Sequence, residues 1–195
     1  MKNTRCSPIE RFTEWYEDAR ASHDPCLNSM TLATSNASGH PSARIVLLKG
    51  VSESGFVFYT NYLSRKSKEI SENPFAALVF YWPTLERQVR VEGELKKVSA
   101  QESDEYFATR PRGSQLGAWA SLQSQPLPDR KTLEDRVQQI TDRYEGADVP
   151  RPENWGGFRL KPTVIEFWQG KADRLHDRER YQRKGDQWEL DQLFP

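Results

Sequence analysis

From Pro8 to Ala21 the positions Ile9, Phe12, Trp15, Tyr16 and Ala19 recur at three- and four-residue steps, which predicts an amphipathic helix with one packed and one solvated face. Past it the period falls to two. Residues 30–35 (MTLATS), 42–50 (SARIVLLKG) and 56–60 (FVFYT) read as consecutive antiparallel strands, joined by turns at 36–41, around Ser38-Gly39, and at 52–55. Residues 75–82 (FAALVFYW) and 86–98 (ERQVRVEGELKKV) form a further hairpin about Pro83-Thr84, and 64–72 between these blocks is a short helix. Ser99 with Glu102 three residues on is the reciprocal capping-box pattern, and Arg110-Pro111 closes the helix that it opens. A short helix over 114–122, a proline loop at 125–128 and a helix over 129–144, with Leu133, Val137, Ile140 and Tyr144 at helical spacing, come next. The chain then returns to strands at 157–160, 163–169, 173–180 and 187–190. No repeat, low-complexity tract or long linker divides it, so residues 1–195 read as a single α+β domain: an antiparallel sheet with peripheral helices, most simply a barrel or half-barrel.

Composition adds two constraints. Only 36% of the 195 residues are hydrophobic and 29% are charged, a thin supply for a monomeric core, so burial at a subunit interface is expected. The 28 Lys+Arg balance 28 Asp+Glu, which removes the global field that nucleic-acid and polybasic membrane binders rely on. Any anion recognition must be local. Cys6 and Cys26 form no CxxC pair, the first twenty residues are polar and charged where a signal peptide needs an apolar run, and no apolar stretch exceeds eight residues. These features read as a cytoplasmic protein with no membrane span.

Four places could hold anions or electron-rich groups. Ser64-Arg65-Lys66 opens a helix, where two cations oppose the macrodipole unless a phosphate joins them at the free N–H groups; a solvated surface helix accounts for the same residues. Arg44 and Lys49 end an apolar strand and differ by an odd number, so a regular strand points them to opposite faces, roughly 17 Å apart at about 3.3 Å per residue, implying two anions if both bind one. Snorkelling cations flanking a buried strand are the plainer account. Tyr106 and Arg110 share a helix face, and Ser114 lies just past the Pro111 break, together a second candidate phosphate pocket or else ordinary packing and capping. In Asp173–Arg178, strand alternation puts Arg174, His176 and Arg178 on one face, three groups that repel unless an electron-rich partner or acids on the next strand stand opposite. His23 and His40 read as surface residues. The chain carries no GxGxxG, GxxxxGK[ST], HExxH or GxSxG, and no metal-ligand cluster.

Taken jointly, RIVLLK, VFYTN followed by SRK, LERQVRVEG, YFATRPRGSQLGAW, ENWGGFRL, IEFWQG and RLHDR resemble the pyridoxine/pyridoxamine 5′-phosphate oxidase family over nearly the whole chain from Phe12 to Pro195. The resemblance implies a split β-barrel and a homodimer with FMN at the interface of the two subunits, the C-terminal strands from about 155 serving the dimer and the substrate. It implies that Arg44, Ile45, Val46, Leu47, Leu48, Lys49, Tyr59, Thr60, Arg65, Lys66, Gln88, Gln123, Ser124, Trp168 and Arg178 bind FMN. Lys49, Tyr106, Arg110 and Ser114 would take the substrate phosphate, and Arg174, Leu175 and His176 the pyridine end, with Arg174 and His176 as catalytic residues. The implied reaction is oxidation at C4′ of pyridoxamine or pyridoxine 5′-phosphate, with dioxygen as acceptor and hydrogen peroxide as product. Members often carry a longer basic N-terminal extension than this chain shows ahead of Phe12. Two other readings stay open: a related FMN oxidase of phenazine-type biosynthesis, and a non-catalytic flavin- or pyridoxal-phosphate-binding protein.

Overall fold

The computed structural model describes residues 7–195; Cys6 lies outside them. Helix α1 (Pro8–Ala21) starts at a full capping box, Ser7 Oγ accepting from the Glu10 amide while the Glu10 carboxylate accepts from the Ser7 amide, with Pro8 supplying a helix-ready φ. It lays Ile9, Phe12 and Ala19 into the barrel. The strands β1 (Ser29–Ser35), β2 (Pro41–Leu47), β3 (Gly50–Ser52), β4 (Gly55–Asn61), β5 (Phe75–Trp82), β6 (Arg87–Lys97), β7 (Trp155–Gln169), β8 (Asp177–Lys184) and β9 (Gln187–Gln192) form one antiparallel sheet. Its order is β2-β1-β5-β6-β7-β4-β3, curled into a split β-barrel. Strand β7 pairs with β6 along one edge; along the other it takes β4 at 155–160 and β8 at 164–169. Helices α2 (Arg65–Glu72), α3 (Ala100–Ala108), α4 (Arg112–Ala120) and α5 (Arg130–Arg143) lie outside the sheet.

Alternation sorts the side chains into two cores. Leu32, Leu78, Val89, Val91, Ile165 and Phe167 point inward with Phe12, Phe56, Phe80 and Trp82 and fill the barrel. A smaller cluster of Phe107, Leu116, Tyr144, Val149 and Trp155 packs under α3–α5, on the far side of β4 and the start of β7. No helix among the described residues is long and apolar enough to cross a membrane.

Five expectations need correction. The strands anticipated at 157–160 and 163–169 are one continuous β7, because Pro162 falls where the ladder already shifts register at Glu92/Gly93 and between the β4 and β8 pairings, so its missing N–H breaks nothing. The strand expected over 173–180 begins only at Asp177. Residues 172–174 form a 3₁₀ turn with Asp173 and Arg174 at φ 56° and 60°, so alternation does not place Arg174 and His176 beside Arg178. Strand β2 ends at Leu47, which removes the regular-strand premise from the Arg44/Lys49 spacing. The Ser99 capping box is half formed: Ser99 Oγ accepts from the Glu102 amide, but the Glu102 carboxylate is taken bidentately by Arg159 at 2.8 Å. Helix α4 also starts two residues early, placing Ser114 in its first turn.

Candidate active site

A cavity of about 1120 Å³ opens between the end of β2, the outward side of β4, the N-terminus of α2 and the α3–α4 pair. Single small-ligand sites usually hold roughly 300–1,000 Å³, and this one lies just above that range.

Cations crowd one end. Ser64 caps α2 without a side-chain bond to its amides, and the first turn holds Arg65 and Lys66 and no acid. The amides of Arg65 and Lys66 have no acceptor among the described residues, as in the first turn of any helix without a side-chain cap. Lys66 is buried, its Nζ bonded to Thr60 Oγ1 at 3.1 Å, Ser64 Oγ at 3.2 Å and Gln123 Oε1 at 3.0 Å, all neutral groups. Desolvation, with Arg44 nearby, pushes its pKa down to about 8. Beneath it sits the buried carboxylate of Glu69, which accepts from Thr34 (2.5 Å), Ser42 (2.6 Å), Arg65 Nε (2.8 Å) and Arg44 Nη2 (3.2 Å). Burial alone would raise its pKa; those donors outweigh it and hold it at about 2. Arg44 is fixed further by the Leu32 carbonyl and by the hydroxyls of Thr34 and Ser42.

Rings dominate the other end. Tyr59, Tyr106 and Trp155 lie near-parallel, with centroids 4.0 Å (Tyr59–Tyr106) and 5.5 Å (Tyr59–Trp155) apart. Gly157 permits this, since a Cβ there would meet the Tyr59 ring at 2.8 Å. Burial, and then the Glu102 charge, push Tyr59 up to about 12, so its phenol remains a donor. Lys49 Nζ stands 5.9 Å from the Tyr106 centroid, and the Arg110 guanidinium 4.5 Å from that of Trp155. Arg110 Nη1 is buried with no hydrogen-bond partner, and burial lowers the guanidinium pKa. Ser114 and the uncapped start of α4, again without a first-turn acid, face the same space.

Most of the sequence-derived candidates therefore meet. Arg44, Ile45, Val46 and Leu47 line the cavity from β2 and Lys49 from just past its end, Tyr59 and Thr60 from β4, Arg65 and Lys66 from α2, Tyr106, Arg110 and Ser114 from α3–α4, and Gln123 and Ser124 from the loop after α4. Ser124 holds a left-handed φ of 70°. Leu48 turns into the barrel core instead. Arg44 and Lys49 share one cavity despite their odd spacing, because the chain leaves the strand between them.

The remaining candidates lie elsewhere. Gln88, Trp168 and Arg178 are register neighbours across β6, β7 and β8 on the sheet's outer face. Arg178 binds the buried Glu166 carboxylate at 2.8 and 3.0 Å, and the Phe194 carbonyl. His176 lies against Trp168, centroids 4.6 Å apart, and its Nδ1 accepts from the Lys171 amide, leaving Nε2 as the donor of the neutral ring. Arg174 and Leu175 are exposed. One copy of the chain does not bring this group to the cavity. The residue overlooked is Trp155; the signal for it was an aromatic directly before Gly156-Gly157, a strand start whose missing side chains let rings lie flush.

The FMN implied by the resemblance fits these residues. Buried Lys66, with only neutral partners, and the uncapped, acid-free start of α2 form a donor set for a phosphate.

Residues 18–144 match the family described as pyridoxamine 5′-phosphate oxidase, and 155–195 match the pyridoxine 5′-phosphate oxidase C-terminal dimerisation region. A pyridoxine/pyridoxamine 5′-phosphate oxidase of Bordetella pertussis is 57% identical over 190 residues, covering 97% of this chain and 90% of that protein. The protein of the same name from Rubrobacter xylanophilus is 58% identical, covering 96% and 87%. Among solved structures, PhzG from Burkholderia lata in complex with tetrahydrophenazine-1-carboxylic acid superposes with a TM-score of 0.94 at 30% identity, over 99% of this chain and 95% of that one. A pyridoxamine 5′-phosphate oxidase-related, FMN-binding protein of Nostoc punctiforme shares the fold at a TM-score of 0.76 and 17% identity, over 98% of this chain and 100% of that one.

Proposed function

The chain belongs to the pyridoxamine 5′-phosphate oxidase family, a family of flavin oxidoreductases, and from that premise we propose that it converts pyridoxamine or pyridoxine 5′-phosphate to pyridoxal 5′-phosphate, using FMN and dioxygen. The alcohol and O2 give the aldehyde and H2O2; the amine, O2 and water give the aldehyde, ammonia and H2O2. Bound FMN supplies the two-electron acceptor for the substrate C4′ carbon.

The observation that carries this reading is the pair of cationic ends in one cavity, each built at an acid-free helix start and one of them ending in a buried, unpartnered Arg110 Nη1. Two phosphorylated ligands satisfy both ends; one leaves a buried cation edge unpaired, a cost of about 1–3 kcal/mol or more for a charged group. In this assignment Arg44, Arg65 and Lys66 take the cofactor phosphate, with Thr60, Gln123 and Ser124 beside it and residues 45–49 along the flavin. Lys49, Tyr106, Arg110 and Ser114 take the substrate phosphate, remote binding energy that positions C4′.

The chain acts as a homodimer in this reading. Ile45 and Leu47 are exposed on the outer face of the sheet, 63% and 44%, and share that face with Val79, Gln88, Trp168 and Arg178. Docking a second copy there covers the apolar strip and lets the exposed Arg174–Leu175–His176 turn of one protomer reach the other's cavity. Arg174 would then cover the substrate face opposite the flavin, and His176 would hydrogen-bond the substrate through Nε2.

The likeness to PhzG favours one alternative, an oxidase of a phenazine-type substrate. One experiment separates these. Purified protein with a flavin spectrum is mixed in air with pyridoxamine 5′-phosphate, and aldehyde and peroxide are measured. Both products are expected; a bound flavin with neither product overturns the proposal.

A further inference from the structure

Arg110 is held differently from Arg44, Arg112, Arg159 and Arg178. Arg44 and Arg178 bond carboxylates, Arg159 a carboxylate and hydroxyls, and Arg112 the carbonyls of Tyr144 and Ala147. The guanidinium of Arg110 has no hydrogen-bond or ionic partner among the described residues; it lies over Trp155 at 4.5 Å and beside Phe107 at 5.5 Å. The distinction is chemical. A carboxylate consumes the in-plane N–H edge of a guanidinium and cancels its charge, whereas an indole engages only its flat face and leaves the N–H edge free at full charge.

Trp155 is itself tightly placed. It is 7% exposed, near-parallel to Tyr59 and Tyr106 and edge-on to Phe107 at 5.1 Å, with its amide bonded to the Pro152 carbonyl and its carbonyl accepting from Arg151. It stands where β7 begins, opposite Asn61 of β4, so the sheet sets its position rather than the α3–α4 turn that carries Arg110.

We propose that Trp155 is a positioning residue that holds the Arg110 guanidinium face-on, with its N–H edge free and turned to the substrate phosphate, and so sets the preference for phosphorylated over unphosphorylated substrate. This rests on the functional reading above. A face-on hold contributes to binding only when an anion meets the free edge, so loss of Trp155 weakens phosphate recognition and leaves contacts to the pyridine ring alone.

The test uses FMN-loaded enzyme with pyridoxamine 5′-phosphate and with pyridoxamine, in the wild type, Trp155→Leu, Trp155→Phe, Arg110→Ala and the double variants, with inorganic phosphate as a competing probe and flavin fluorescence for FMN affinity. Trp155→Leu is expected to raise KM for the phosphorylated substrate and the inhibition constant of phosphate together, between about threefold and thirtyfold, the range of a cation–π contact. KM for pyridoxamine should rise less than KM for the phosphorylated substrate, so the ratio of the two shifts toward the unphosphorylated one, and Trp155→Phe should recover most of that shift, since it keeps a ring face. The Trp155/Arg110 double variant should be no worse than Arg110→Ala alone. Should Trp155→Leu not fold, the cycle with Trp155→Phe reads the same coupling at smaller amplitude. Equal KM increases for both substrates, or effects of Trp155 and Arg110 that multiply, overturn the inference. A wild type that neither turns over pyridoxamine 5′-phosphate nor responds to phosphate overturns the functional reading instead.

Discussion

The two cationic ends of the cavity are built on opposite principles. At α2 the cations rest on a polar scaffold: Glu69 ties Arg44 and Arg65 together, and Lys66 is bonded to Thr60, Ser64 and Gln123. At α3–α4 they rest on rings, with Lys49 near Tyr106 and Arg110 on Trp155. A polar scaffold satisfies its cations in the absence of ligand, so a bound phosphate must compete with bonds already made. A ring scaffold leaves the N–H edge unsatisfied, so a bound phosphate gains the whole interaction. The first arrangement holds its donors through hydrogen bonds, the second through ring faces.

The largest expected effect that separates the two comes from Arg110→Ala. A charge-assisted hydrogen bond is worth about 1.5–3 kcal/mol, so KM for pyridoxamine 5′-phosphate should rise roughly ten- to a hundredfold in steady-state kinetics, with FMN affinity unchanged. Weakened flavin binding in that variant would merge the two ends into one site.

Lys66→Met should act on the other end. The flavin dissociation constant should rise about tenfold by fluorescence titration, less than the Arg110 effect because the substitution also removes the cost of burying an ammonium. KM at saturating FMN should not move; a raised KM would place Lys66 on the substrate.

The ends should also differ in pH response. Lys66 is lowered from 10.5 to about 8 in the folded protein, so FMN affinity should fall several-fold as pH rises from about 7 to 9 and the ammonium loses its proton. Over that range the phosphate-dependent part of substrate binding should hold, since a guanidinium keeps its charge. The sign for stability is opposite: between about 8 and 10.5 the unfolded chain binds the extra proton, so the flavin-free protein should gain stability with rising pH, by an amount that Lys66→Met abolishes in thermal melts.

The smallest effect is expected from Glu69→Gln, a few-fold loss of FMN affinity through looser Arg44 and Arg65. Glu69 is lowered from 4.5 to about 2, so its stabilisation is present above pH 4.5 and is lost as pH falls toward 2. The Gln variant should lack that part of the acid transition in denaturation curves.

Much of this was legible in the chain. The three- and two-residue periods placed α1, β4 and β5 almost to the residue, because each element's register depends on its own alternation. The cationic start of α2 could be read as an anion site because helix dipoles are local. Alternation failed at Arg174–His176, where a charged loop between β7 and β8 imitates a polar strand until two left-handed residues break it. It failed again at Arg44 and Lys49, where the strand stops short.

Most of the elements, the α+β class and the residue types able to hold phosphate follow from neighbours a few positions apart, and so were legible in the chain. Only the tertiary structure decided that residues 44, 66, 110 and 123 share one cavity, that Glu69 braces one end of it and Trp155 the other, and that residues 88, 168 and 178 face outward on the sheet. Those relations join positions dozens of residues apart, and they are fixed by strand pairing and ring packing, which no local period records.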